Sequence, residues 1–212
     1  MNYKKKYFPH ILLGIYLLEF SILAVAPPGG RDVWWMENLP VLIVIFVLVL
    51  TNRLYRFSNL AYLLMAFFLM FHTIGGHYSF ALTPFEWGNH MLEYLHLDFL
   101  FPDGRNNFDR VGHYLVGVFA YPISELALAK RWVSNKWTAI ALGIFALGFW
   151  GSAYEIIETI YAVVDGGEAG VAFLGSQGDI WDAQKDMLLD ILGAMTVSIL
   201  FLIKQLKVKT DD

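Results

Sequence analysis

Cysteine is absent from this 212-residue chain. That excludes disulfide bridges, thiolate-bound metals and cysteine nucleophiles. Charge is scarce as well: 16% of residues are Asp, Glu, Lys or Arg, against 57% hydrophobic and 17% aromatic. So apolar a composition lies outside the soluble globular range and fits a multi-pass membrane protein. The basic residues are few and scattered over loops, so no nucleic-acid partner is expected. The His-Glu-x-x-His helix of zinc proteases, a nucleophile elbow and a phosphate-binding glycine loop are also missing.

What the chain does have is long apolar segments, at about 8–26, 39–50, 59–76, 109–129, 137–163 and 182–203. They predict an all-α polytopic membrane protein, a bundle of about six transmembrane helices forming a single integral membrane domain over 1–212. The second segment is short for a hydrocarbon core about 30 Å thick, so its flanks are expected to contribute. Lys4–Lys6, the apolar run and Ala24-Val25-Ala26 imitate a signal peptide. Pro27 directly after that site, the over-long run and Glu19 within it argue for an uncleaved first helix.

Basic residues orient the helices. With a cytoplasmic N-terminus, only Arg31, Arg105, Arg110 and Lys185 of the 15 lysines and arginines fall on the opposite side. Both termini are then cytoplasmic. Counting helical rise from the cytoplasmic anchors puts Asp190 about 21 Å up, and Asp186, His113, Glu155, His72, His77, Asp109 and Glu158 about 24–33 Å up. Acids and imidazoles from four helices thus meet in one layer facing the extracytoplasmic side. Two outer loops cover that layer. The first carries "PFEWGNHMLEYLHLDFLF", which suits an interfacial helix, and the second, "DGGEAGVAFLGSQGD", is glycine-rich.

Three constellations carry candidate chemistry. "DRVGH" sets Asp109 and His113 on one helix face, able to share a metal or to pair as acid and oriented base. The bland alternative is an ion pair closing the helix mouth. "YEIIE" sets Glu155 and Glu158 on one face at near-equal depth, where they repel unless a cation or proton lies between them. Pairing with Arg105, Arg110 or Lys185 would satisfy them structurally. "GDIWDAQKDMLLD" stacks Asp182, Asp186 and Asp190. Asp182 is expected at the interface, solvated or capping, while Asp186 and Asp190 must face protein, water or a cation.

The candidate catalytic set is Asp109, His113, Glu155, Glu158 and Asp186. The candidate metal ligands are His113, Glu155, Glu158, Asp182, Asp186 and Asp190, with His77 as a further candidate. Carboxylates with one or two imidazoles suit a divalent Mg, Mn, Zn or iron ion. A ferritin-like Glu-x-x-His is not met, because the fourth residue here is Glu158. The aspartate run also resembles that of CDP-alcohol phosphotransferases, but lacks their Asp-Gly and Ala-Arg pairs and lies on the wrong side of the membrane.

The strings "GRNNFDRVGHYLVG", "SAYEIIE" and "AFLGSQGDIWDAQKDMLLDILGA" resemble those of the YjdF-like bacterial inner-membrane proteins, a family of unknown function. More remotely, Asp-basic-x-x-His, a helix-borne Glu and Asp-x-x-x-Asp before Gly-Ala are similar to VanZ-like proteins. The matching positions are Asp109, Arg110, His113, Glu155, Glu158, Asp186, Asp190 and Gly193. Glu158 stands where that pattern has Gln and Asp190 where it has Asn, so this site is more acidic. The resemblance implies the bacterial inner membrane and a link to envelope biology; it names no reaction.

The leading expectation is a cation-dependent or acid–base site in the outer leaflet, acting on or binding a lipid-linked or cell-envelope molecule. A non-enzymatic scaffold whose polar seam holds helices together, and a transporter, are the alternatives. Membrane lipids are the expected partners, and oligomeric state is left open.

Overall fold

The computed structural model describes residues 7–165, 167 and 174–208. The described residues fold as helices: α1 Phe8–Leu23, α2 Arg31–Thr51, α3 Asn59–Tyr78, a short α4 Glu86–Tyr94, α5 Phe108–Ala129, α6 Lys136–Asp165 and α7 Asp182–Val208. Among them α2, α3, α5, α6 and α7 are long and apolar enough to cross a membrane, while α1 has 16 residues. Local chemistry sets several boundaries. Ser58 caps α3 by accepting from the Ala61 N–H at 3.3 Å, and Asn135 Oδ1 accepts from the Thr138 N–H at 2.9 Å near the start of α6. Ser79 ends α3 in the left-handed region, with φ 54°.

The second helix departs from the expected 39–50. It begins at Arg31 and carries Pro40 inside it. Pro40 removes one backbone N–H without ending the helix, so the polar stretch before it is helical too. That extension brings Glu37 into the protein interior, 5% exposed.

Apolar side chains remain outside at helical spacing, for example Ile43, Phe46 and Leu50 on α2 and Phe145 and Phe149 on α6. Such stripes suit a hydrocarbon solvent. Inside, Tyr62, Met65, Tyr121, Leu147, Val197 and Phe201 build one core cluster from four helices. At the end of the bundle that bears Lys130, Lys136 and Lys204, Glu125 accepts from the Ser58 N–H at 2.6 Å and the Tyr55 hydroxyl at 3.3 Å, with Lys204 at 3.8 Å. Burial and the Glu125 carboxylate push the Tyr55 hydroxyl up to about 12, so it stays a donor.

Helix α5 is interrupted by a 3-10 turn at Gly117–Phe119, and there it crosses α7 at backbone contact. A Cβ on Gly117 would lie 2.2 Å from the Gly193 carbonyl carbon, and one on Gly193 would lie 1.9 Å from the Tyr114 carbonyl oxygen. His113 is one turn before Gly117 and Asp190 less than one turn before Gly193. The glycine crossing therefore sets the spacing of the polar cluster above it.

Candidate functional site

The polar residues sort into two layers. The upper one gathers the loop before α5, the start of α5 and the start of α7. Arg105 pairs with Asp182, and Arg110 Nη2 lies 2.7 Å from both Asp179 Oδ2 and Asp182 Oδ1. Lys185 Nζ is also 2.7 Å from Asp179 Oδ2. Burial works against the Asp179 carboxylate, but hydrogen bonds from Lys185, the Trp181 N–H and Arg110 outweigh it and hold its pKa below the usual carboxylate range. Arg110 is itself fully buried. Three cations face two carboxylates in this layer, so each of its acids has cations beside it.

One turn deeper the balance changes. His113 Nδ1 is 3.1 Å from Asp190 Oδ1. With Asp190 ionised, its carboxylate accepts and Nδ1 donates, which leaves Nε2 on the other side of the ring. Nε2 faces Glu155 Oε1 at 3.8 Å and Asp109 Oδ1 at 3.9 Å. Asp109, His113 and Asp186 each offer one ligand atom, and those atoms lie within 4.8 Å of one another. This buried Asp/His/Asp group could hold a metal ion. Asp186 reaches upward only weakly, its Oδ1 standing 3.7 Å from Arg110 Nε.

Several of these oxygens lack hydrogen-bond partners although they are buried. They are Glu155 Oε1, Asp186 Oδ1 and Asp190 Oδ2, on residues 7%, 2% and 1% exposed. Asp190 Oδ2 occupies room that only glycine leaves, because a Cβ on Gly151 would lie 1.9 Å from it. Buried acceptors without donors are costly, so acids carrying them around His113 mark a place where a cation or proton belongs.

The layer opens on a cavity of about 320 Å³. Its polar end is lined by Glu37, His72, Asp109, His113, Glu158 and Asp190. The His72 Nε2 proton is donated to the Glu37 carbonyl at 2.9 Å, which fixes the ring. Tyr154 also lines this end, its ring centroid 6.4 Å from that of His113.

Measured against the sequence expectations, Asp109, His113, Glu155, Asp186 and Asp190 come together, and Glu158 lines the cavity with Asp109, His113 and Asp190, while Glu155 and Asp186 are not among its lining residues. Asp182 does not join them. It is 7% exposed rather than solvated, and its Oδ1 is taken by Arg105 and Arg110. His77 donates from Nδ1 to the Leu23 carbonyl at 2.6 Å and is not among the cavity-lining residues. Arg105, Arg110 and Lys185 serve Asp179 and Asp182 rather than the Glu155–Glu158 pair. Glu37, Tyr154 and Gly151 are site residues that sequence reasoning missed. The shortness of the second apolar segment was the available signal for Glu37.

Comparison with known proteins agrees with this architecture. Residues 8–207 match the family described as "Predicted membrane protein (DUF2238)". The inner membrane protein YjdF of Escherichia coli (strain K12) is 34% identical over 168 residues, covering 78% of this chain and 76% of that protein. No solved structure matches.

Proposed function

The chain belongs to the DUF2238 family of membrane proteins, and we propose that its lower polar layer is a divalent-cation site on the extracytoplasmic side of the inner membrane. In this reading α1 completes a set of six spans, α4 lies at the interface over the site, and both termini are cytoplasmic. The observation that carries the proposal is the His113 ring. One nitrogen is committed to Asp190, and the other faces Asp109 and Glu155 beside Asp186. Metal-binding histidines are oriented in this way, with the second ring nitrogen donating to a carboxylate. Hard oxygen donors with one imidazole favour Mg, Mn, Zn or ferrous iron.

Asp109, His113 and Asp186 would hold the ion, with Glu155 beside them. Asp190 orients His113, and Glu158 lines the adjoining cavity as a candidate acid–base group. A bound ion would supply Lewis acidity for hydrolysis or group transfer on a lipid-linked or envelope molecule. A binding or scaffold role is favoured by a different observation, the ion pairs of the upper layer, which join the α5 end to the start of α7.

Titrating the detergent-purified full chain with Mn2+ and with Zn2+ tests the site calorimetrically. One equivalent should bind, and Asp186→Asn or Asp109→Asn should weaken binding by about 100-fold or more. Absence of binding in the wild type, or wild-type binding in both variants, would overturn the cation reading. Because the natural chain has no cysteine, single-cysteine variants at Gly104 and Asn135 test orientation directly. Membrane-impermeant thiol reagents added to intact cells should label the first and spare the second; the reverse pattern would invert the topology.

A further inference from the structure

The cavity does not end at the polar layer. On α6 its lining runs from Glu158 to Ala146, and on α5 from Asp109 to Ile123. Those separations correspond to about 18 and 21 Å along the helix axes. Beyond His113 the wall turns apolar: Val41 and Val44 from α2, Leu69 from α3, Phe119 from α5, and Ala146 and Leu147 from α6. The space is therefore an elongated limb between four helices, with its charged groups collected at one end. A volume of about 320 Å³ is at the low end for ligand sites, in keeping with a narrow occupant.

The limb's direction matters. It runs along the helices, parallel to the hydrocarbon chains of a surrounding bilayer, with its polar end in the same layer as the acid cluster. We infer that this limb seats one hydrocarbon chain of an amphiphile whose oxyanion head, a phosphate or a carboxylate, reaches the Asp109–His113–Asp186 group. The inference rests on the proposed cation site for the head, because an oxyanion needs a cation among so many carboxylates. The chain half rests on the limb alone. Lipid tails are as apolar as the limb, so the chain positions the molecule and the head supplies selectivity. Phosphate-headed and carboxylate-headed amphiphiles share this chemistry, and the assay separates them.

The test uses the full chain in detergent with cis-parinaric acid as a fluorescent single-chain carboxylate and dodecyl phosphate as competitor, each with Mn2+ and with EDTA. Wild type should bind one equivalent of parinaric acid. Val44→Trp and Ala146→Phe, which fill the limb, should each weaken binding about tenfold or more. Ile43→Trp adds the same bulk at the same depth on the exposed face of α2, where Ile43 is 54% exposed, and should leave binding unchanged. Equal binding in Val44→Trp, Ala146→Phe and wild type would overturn the inference.

A measurement on the unmodified protein covers the case in which the filled variants fail to fold. Displacement by alkyl phosphates from octyl to octadecyl should show a break at the length that fills the limb, whereas a smooth trend would refute an enclosed site. Stronger displacement by dodecyl phosphate than by dodecanoate in Mn2+ would identify the head as phosphate; the opposite order would identify it as carboxylate. If chain binding and its Val44→Trp loss persist while no metal binds, the limb stands and the cation reading falls. Metal binding without chain binding gives the converse.

Discussion

Asp182 and Asp190 occupy equivalent positions on one face of α7, two turns apart, yet meet opposite surroundings. Asp182 lies against two arginines, whereas Asp190 faces an imidazole that it shares with Asp109 and Glu155. In the upper layer each carboxylate has cations beside it. The lower layer holds more carboxyls than cations and leaves buried oxygens without donors. Identical residues at identical spacing thus serve different ends, and what separates them is the cation that tertiary packing delivers. An ion-pair network explains helix cohesion; an acid surplus asks for a partner.

The largest effect should follow from removing a cation from the upper layer. Arg110→Met leaves Asp179 and Asp182 short of a partner in a buried setting, and breaking such a network costs about 3–5 kcal/mol. A large drop in the thermal midpoint of the detergent-purified protein is the expected readout. A drop no larger than that of Asp190→Asn would abolish the distinction between the layers.

Next in size is the helix crossing beneath the site. Gly193→Ala drives a methyl group onto the Tyr114 carbonyl, and relieving such overpacking costs about 1–3 kcal/mol. Because the same crossing sets the His113–Asp190 distance, the variant should lose Mn2+ affinity together with stability. Unchanged metal affinity in a destabilised Gly193→Ala protein would show that the site is held by other contacts.

Asp190→Asn should move stability little, since it removes one negative charge from an acid-rich layer. Its signature is in the cation affinity, which should fall about 10–100-fold through loss of the oriented His113. Asp182→Asn is the matched control, expected to lower the thermal midpoint and spare metal binding. An exchange of these two outcomes would reverse the assignment of the layers.

How much of this was legible beforehand depends on which physical quantity sequence fixes. Helical rise is nearly constant, so counting residues from basic anchors brought Asp109, His113, Glu155 and Asp186 to a common depth. Spacing of four also put Asp182, Asp186 and Asp190 on one face. Neither quantity tells which acid an arginine from a distant loop will reach, so Asp182, although expected at the interface, stayed among the candidate ligands beside Asp186. Glu37 was hidden for another reason. The apolar run starts only at about Leu39, yet α2 begins at Arg31 and carries the polar stretch inward through Pro40. The crossing at Gly117 and Gly193 depends on two distant backbones meeting, which no local pattern announces.

The smallest expected effect is a pH dependence confined to the rim of the upper layer. Asp179 precedes α7, and its folded pKa lies below the ordinary carboxylate value because Lys185, the Trp181 N–H and Arg110 favour the charged form over the penalty of burial. A depressed carboxylate contributes stability that is fully present above its unfolded pKa of about 3.9 and is lost as pH falls below it toward the folded value. Wild type should therefore melt above Asp179→Asn near neutral pH, with the gap narrowing as pH is lowered through that region. Other carboxyls titrate there too, but they do so in both proteins, and the difference between the two melting curves isolates Asp179. A gap that stayed constant to low pH would mean that Asp179 acts by its shape and hydrogen bonding rather than its charge. The ion-paired description of the upper layer would then lose one of its members, while the acid surplus below would stand unaltered.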